Sequence, residues 1–209
     1  MKQQKYFWCD LDGTLRKTMD GKTFIDSPGN QEPFPGTRQA IKHLANAGFE
    51  IVGITNQGGC AAVDPNTGHP RKTLEDAITE QQITLSLFPE MEKILFCPTY
   101  DELSYCYEVT RESATFVKAP IGNSGGQISC RKPGHGMVLA SIRDVKPEEV
   151  DWHNSWFVGD RDEDELCAAG AVVNFIWANL FRSYFCSEIV EFPQQRTRMI
   201  QQFESLVFI

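Results

Sequence analysis

The sequence predicts an α/β fold built on a central parallel sheet. Three observations carry that expectation. Short apolar runs of strand length alternate with helix-period stretches along most of the chain. The first two of these runs read as strands covered on both faces, as the strands of a parallel sheet are. A length of 209 residues supplies one well-filled core and hardly a second. A single domain over residues 1–209 is therefore expected, with a loop or hairpin insertion at about 99–129.

The first strand is Tyr6-Phe7-Trp8-Cys9, which delivers Asp10 to its carboxyl end. Thr37 stands where a helix N-cap is wanted, Ile41, Leu44 and Ala45 share one face, and Gly48 occupies the stopping position. Phe49 to Ile54 is the second strand. The alternation continues with a helix near Leu74 to Phe88, a strand at Lys93 to Phe96, and a helix after Gly136 carrying Met137, Val138 and Ile142. Ser155 to Val158 reads as a strand, a short helix runs to Gly170, and Val172 to Trp177 is a last strand. Two regions interrupt the pattern. Arg16 to Pro35 is rich in Gly, Pro and Asp, and Thr99 to Ser129 contains GNSGGQ. In the second, Tyr105, Tyr107 and Val109 alternate ahead of an Arg111-Glu112-Ser113 turn, which suits a hairpin. Together these elements predict a Rossmann-like three-layer fold with no room for a large cap domain.

Composition narrows the class. Hydrophobic residues at 41% and charged residues at 23% fit a water-soluble globular chain rather than a disordered one. No apolar run approaches the ~20 residues a membrane helix needs, and the start reaches acidic residues too soon for a signal peptide, so a cytoplasmic protein is expected. Seven scattered cysteines, an odd number, read as reduced thiols. A net charge of −8 lacks the footprint of a protein that grips long nucleic acid.

The chemistry is concentrated at strand ends. Cleaving a phosphate monoester needs a nucleophile, a proton for the leaving alkoxide and positive charge at the phosphoryl oxygens. Asp10-Leu11-Asp12-Gly13-Thr14 can supply the first two, because residues two apart at a strand end point to one side. Two neighbouring carboxylates do not both ionise freely, so Asp12 is expected to hold a proton and donate it while Mg²⁺ keeps Asp10 an anion that attacks. Gly13 permits a sharp turn and brings backbone N–H groups near phosphate. Thr55-Asn56 offers a hydroxyl and an amide, Lys132 a compact cation, and Asp160 to Asp164 carboxylates for a hard metal. Taken singly, each has a plainer reading as a solvated turn, a surface lysine or an acidic helix start.

In this order, those four segments resemble the haloacid dehalogenase-like superfamily of phosphatases, over nearly the whole chain to about Ala178. Thr55-Asn56-Gln57-Gly58-Gly59, Arg131-Lys132-Pro133 and Val158-Gly159-Asp160-Arg161-Asp162-Glu163-Asp164 look like its branch of histidinol-phosphate and heptose-bisphosphate phosphatases and polynucleotide 3'-phosphatases. The resemblance implies an aspartyl-phosphate on Asp10 and acid/base work by Asp12. It implies Mg²⁺ on the Asp10 carboxylate, the Asp12 carbonyl, Asp160 and Asp164. Thr55 and Lys132 would hold phosphoryl oxygens, with Gly13, Asn56 and Arg131 toward the substrate.

The chain also departs from that branch. Of four zinc ligands found in its sugar-phosphate members, only Cys97 and Cys130 have counterparts, and Cys106 would add at most a third, so structural zinc is not expected. The longer segment between them is expected to form a substrate-facing flap. Leu15-Arg16-Lys17-Thr18 through Gly21-Lys22-Thr23-Phe24 and Ser27-Pro28 resembles the loop after the nucleophile in the 3'-phosphatases, and Arg16, Lys17 and Lys22 could track a short nucleic-acid backbone. The substrate expected is a small phosphorylated metabolite such as a sugar phosphate, the alternative a DNA or RNA 3' end, and the third reading a silent binding module. Neither the oligomeric state nor a role for the tail after Asn179 follows from the residues.

Overall fold

The computed structural model describes residues 3–101, 105–122 and 124–185. One seven-stranded sheet organises it, in the order β7-β6-β5-β4-β1-β8-β9. The strands are β1 (Lys5–Cys9), β4 (Phe49–Asn56), β5 (Met91–Cys97), β6 (Cys106–Val109), β7 (Ala114–Val117), β8 (Trp156–Gly159) and β9 (Asn174–Trp177). A separate ribbon pairs β2 (Arg16–Lys17) with β3 (Glu32–Pro33). β1 lies parallel between β4 and β8, and β5 and β9 extend the parallel set on either side.

Both faces of β1 are sealed, which explains its unbroken apolar sequence. Phe7 and Cys9 join one core, with Ala40, Ile41 and Leu44 of α1 (Thr37–Asn46), Ala77 and Leu85 of α2 (Leu74–Leu87), and Phe181 of α5 (Ala178–Phe185). Tyr6 and Trp8 join the other, with Met137 and Val138 of α3 (Gly136–Ser141) and Cys167 and Ala168 of α4 (Asp162–Ala171). Alternate side chains thus enter opposite layers, and each large one contributes about 1.5–3 kcal/mol by leaving water. Trp8 keeps its indole N–H satisfied by donating to Ser141 Oγ at 2.9 Å.

Several expectations shift in detail. Thr37 is the first residue of α1 rather than its cap: Gly36 precedes it at φ +82°, and the Thr37 hydroxyl donates to Phe34 O (2.7 Å) and Leu15 O (3.1 Å). It ties the helix start to the loop after β1. Thr73 caps α2, accepting from Asp76 N at 3.0 Å. The last strand begins at Asn174, because α4 runs to Ala171 and Val172 turns at φ +59°. The expected flap is largely part of the sheet: β6 pairs antiparallel with β5 and β7 with β6, so residues 106–117 form its edge. Phe96 of β5 stacks on Tyr107 and so holds the hairpin to the sheet, while Phe116 lies tilted against Tyr105 within it. The tail after Phe185, with Cys186, lies outside the described residues.

The chain order brings the chemistry to one crevice. From the β5 side the chain crosses through α3 to β8, so the sheet reverses direction of growth at β1. The carboxyl ends of β1, β4 and β8 then face one cleft, as expected at such a switch point.

Candidate active site

Asp10 follows β1 directly and is almost wholly buried. Its N–H donates to Val158 O of β8 at 2.9 Å, so the neighbouring strand fixes where the carboxylate starts. Both carboxylate oxygens are occupied: Lys132 Nζ donates to Oδ1 at 2.6 Å and Thr14 Oγ1 to Oδ2 at 2.8 Å. The chain then folds back, with Leu15 and Arg16 N–H groups both donating to Leu11 O. Gly13 adopts φ +88° at this turn. Its own N–H donates to Arg16 O at 3.0 Å, so Gly13 contributes space to the cleft rather than a phosphate donor.

Asp12 shares the cleft with Asp10 but has different partners. Arg16 Nε donates to Oδ1 at 2.8 Å, and Arg16 Nη2 and Gln57 Nε2 donate to Oδ2 at 3.3 and 3.1 Å. Burial pulls the Asp12 carboxyl upward, but the charge and hydrogen bonds of Arg16, with Lys72 and Gln57, outweigh it and hold it below the usual carboxylate range. Asp10 goes the other way, pushed up to about 7 by burial and by Asp164 and Asp12, against the opposing pull of Lys132. From the protein's own charges alone Asp10 is thus the more easily protonated of the two, because Arg16, a cation that spacing alone did not reveal, sits beside Asp12.

Lys132 is the centre of the second half of the site. With 2% of its side chain exposed, it donates to Asp10 Oδ1 and Asp164 Oδ1, each at 2.6 Å, and to Ile54 O at 3.2 Å. Burial disfavours its charge, yet the two carboxylates raise its pKa. The peptide bond from Lys132 to Pro133 is cis. Asn56 holds the lysine in place: its Oδ1 accepts from Lys132 N and its Nδ2 donates to Lys132 O, both at 3.1 Å. Both ends of that amide are thus engaged by backbone, although Asn56, like Thr55, lines the cleft. Arg131 is turned elsewhere, donating to Thr99 O at 3.2 Å and lying 4.6 Å over the Tyr100 ring, and it is not among the lining residues.

One oxygen each from Asp10, Asp160 and Asp164 lies within 4.8 Å of the others, the one such group of metal-capable side chains among the described residues. Burial and the charge of Asp164 raise the Asp160 carboxyl, against Arg161 and Lys132. Asp164 is itself oriented, accepting from the N–H groups of Asp160 and Arg161 at 3.1 Å each. Three carboxylates crowded together, with a single lysine between two of them, suit a small hard cation with oxygen preference. Cys97, Cys106 and Cys130 are buried, and Cys106 and Cys130 share a hydrogen bond.

Residues outside the expected set complete the surroundings. Arg16 is fully buried and clamped between Asp12 and Glu80, whose Oε1 accepts at 2.6 Å, so it is not available to track a nucleic-acid backbone. Lys72 pairs with the other Glu80 oxygen and donates to Gln57 Oε1 at 2.8 Å. Lys22 is paired with Asp20 and Asp26, and Lys17 with Glu32. Thr23, Phe24, Arg161 and Glu163 line the mouth of the cleft, which encloses about 670 Å³ with its opening included. Glu80, a carboxylate on the buried face of α2 beside Ala77, Gln81 and Thr84, was the one sequence signal of this network.

A family model described as polynucleotide kinase 3 phosphatase matches residues 5–176. D-glycero-beta-D-manno-heptose-1,7-bisphosphate 7-phosphatase of Haemophilus influenzae is 26% identical over 178 residues, covering 81% of this chain and 78% of that one. Histidine biosynthesis bifunctional protein HisB of Legionella pneumophila is 27% identical over 174 residues, 83% of this chain but 41% of that longer one. Among solved structures, a protein of Mesorhizobium loti described provisionally as a had-like phosphatase aligns with a TM-score of 0.57 at 21% identity, over 83% of this chain and 71% of its own. D,D-heptose 1,7-bisphosphate phosphatase from B. bronchiseptica, complexed with magnesium and phosphate, aligns with a TM-score of 0.51 at 26% identity, over 82% and 79%.

Proposed function

The chain belongs to the polynucleotide kinase 3 phosphatase family, among the haloacid dehalogenase-like phosphatases, and from that membership we propose a magnesium-dependent phosphomonoesterase that works through Asp10. The observation that carries this reading is Lys132 bridging Asp10 and Asp164 in a buried cleft that also holds Asp12, Thr55 and Asp160.

Asp10 attacks phosphorus, forming an Oδ–P bond as the P–O bond to the alcohol breaks. The leaving alkoxide takes a proton from Asp12. The negative phosphoryl group brought beside Asp12 favours its acid form, offsetting part of the pull of Arg16. In the second half a water loses its proton to Asp12 and attacks phosphorus, releasing phosphate and restoring the Asp10 carboxylate. Lys132 and the Thr55 hydroxyl neutralise and orient the phosphoryl oxygens, and Thr14 keeps the second Asp10 oxygen in place. Magnesium, held by Asp10, Asp160, Asp164 and the Asp12 carbonyl, would supply further charge neutralisation.

For the substrate we favour a small sugar phosphate, as supported by the names of the heptose-bisphosphate relatives and by the acidic residues Glu163 and Asp160 at the cleft. A 3'-phosphorylated nucleic-acid end is the second reading, favoured by Phe24, whose ring lines the cleft while 70% exposed and could stack on a base. Phosphate release from sugar phosphates, histidinol phosphate and 3'-phosphorylated oligonucleotides tests both. Asp10→Asn should lower kcat by about 10³-fold or more, since an amide is a poor nucleophile. Undiminished turnover by that variant would sink the mechanism, and efficient turnover of oligonucleotides alone would replace the sugar by the second reading.

A further inference from the structure

Arg182 sits on α5, six residues beyond the segment that the family model matches. Its Nη1 donates to two consecutive carbonyls of the turn after the nucleophile, Gly13 O at 2.6 Å and Thr14 O at 2.8 Å. Its guanidinium lies 4.2 Å over the Phe34 ring. The preceding residue, Phe181, is fully buried, with its ring 5.5 Å from that of Phe7 in β1. Two adjacent residues of one helix therefore touch both the strand that carries Asp10 and the turn that follows it.

We propose that Arg182 is a positioning residue for the nucleophile, anchoring the Gly13-Thr14 turn to α5 so that Thr14 and Lys132 hold Asp10 in its attacking orientation. The turn's own hydrogen bonds, from Thr14, Leu15 and Arg16 N–H to Leu11 O, set its shape, and Phe34 N–H and the Thr37 hydroxyl, both donating to Leu15 O, tie its far end to the start of α1; the Gly13 and Thr14 carbonyls nearest Asp10 need another anchor. Arg182 supplies it, through charge-assisted bonds that a neutral donor would not match. Tolerance for drift is small here. Thr14 Oγ1 lies 2.8 Å from Asp10 Oδ2, and the Gly13 Cα is packed so tightly on the Asp160 carboxylate that a Cβ would come within 2.3 Å of it. Displacing a reacting group by about 1 Å costs roughly 10²-fold in rate.

This inference rests on the phosphatase reading above, and the test separates the two. Phosphate release is measured for the unaltered chain, Arg182→Ala and Arg182→Lys, with kcat and KM resolved. Arg182→Ala should lower kcat about 10–100-fold with KM within about threefold, and Arg182→Lys, whose ammonium reaches one carbonyl, should fall between. Added guanidinium ion at low concentration should restore part of the Arg182→Ala loss. Normal kcat in Arg182→Ala, or a lysine variant no better than alanine, overturns the proposal. Should the alanine variant not fold, Arg182→Lys decides: reduced kcat at unchanged KM supports the role, and unchanged kcat overturns it. If the unaltered chain releases no phosphate from any substrate, the functional reading itself fails.

Discussion

Position 13 has two constraints that only glycine meets. Its φ of +88° is strained for any side chain, and a Cβ would meet Asp160 Oδ2 at 2.3 Å. Gly13→Ala should therefore destabilise the fold by about 1–3 kcal/mol and push the Asp160 carboxylate out of the acidic trio. Thermal unfolding reads the first effect, and a higher magnesium concentration for half-maximal activity reads the second. Unchanged magnesium dependence would mean that Asp160 does not serve the cation. Arg16 illustrates the opposite kind of position, where residue type alone misleads. Beside Lys17 and Lys22 it looks like a solvated basic loop, but its side chain turns inward to satisfy Asp12 and Glu80. Without it the buried Glu80 would keep only Lys72 as a cationic partner and Asp12 only Gln57 as a donor, so Arg16→Ala should destabilise the fold.

At the level of elements, the hairpin of β6 and β7 is held to the turn that follows α3 by a bidentate pair, Arg143 Nη1 and Nη2 to Glu108 Oε2 and Oε1 at 2.6 and 3.0 Å. The Arg143 hydrogen bond holds the Glu108 carboxyl below its ordinary range despite partial burial. A depressed carboxyl stabilises the fold above its unfolded pKa and loses that contribution as the pH falls through its folded value. Glu108→Gln should accordingly lose up to about 1 kcal/mol at neutral pH, discounted because Arg143 is partly exposed. Urea midpoints should converge with those of the parent as the pH drops below about 4, and an equal gap at both pH values would contradict the assignment. Sequence reading found every parallel strand because each carries a local apolar signature, and it found the hairpin through alternating Tyr105, Tyr107 and Val109. Where the hairpin goes was not legible. Pairing with β5 depends on partners distant in sequence, as do the inward turn of Arg16 and the reach of Arg182 across 169 positions to Gly13.

Over the whole molecule, the charge of −8 and the acidic trio are the features a cation would meet. Magnesium that binds the folded chain alone should stabilise it by about 2.7 kcal/mol at a hundred times its dissociation constant. A chelator should lower the melting temperature and abolish turnover, whereas Asp160→Ala should blunt the thermal shift. A shift of equal size in that variant would place the ion elsewhere. No helix among the described residues is long and apolar enough to cross a membrane.

The place of β1 between β4 and β8 has one more consequence. Thermal fluctuations unravel a sheet from its margins, and here the margins are β7, with three strands between it and β1, and β9, with β8 between. The hairpin edge can fray, or the β9 side loosen, while the peptide groups leading to Asp10 stay paired on both sides. Partial opening of the edges should therefore leave the Asp10 strand paired, and hydrogen exchange should find β1 the most protected strand.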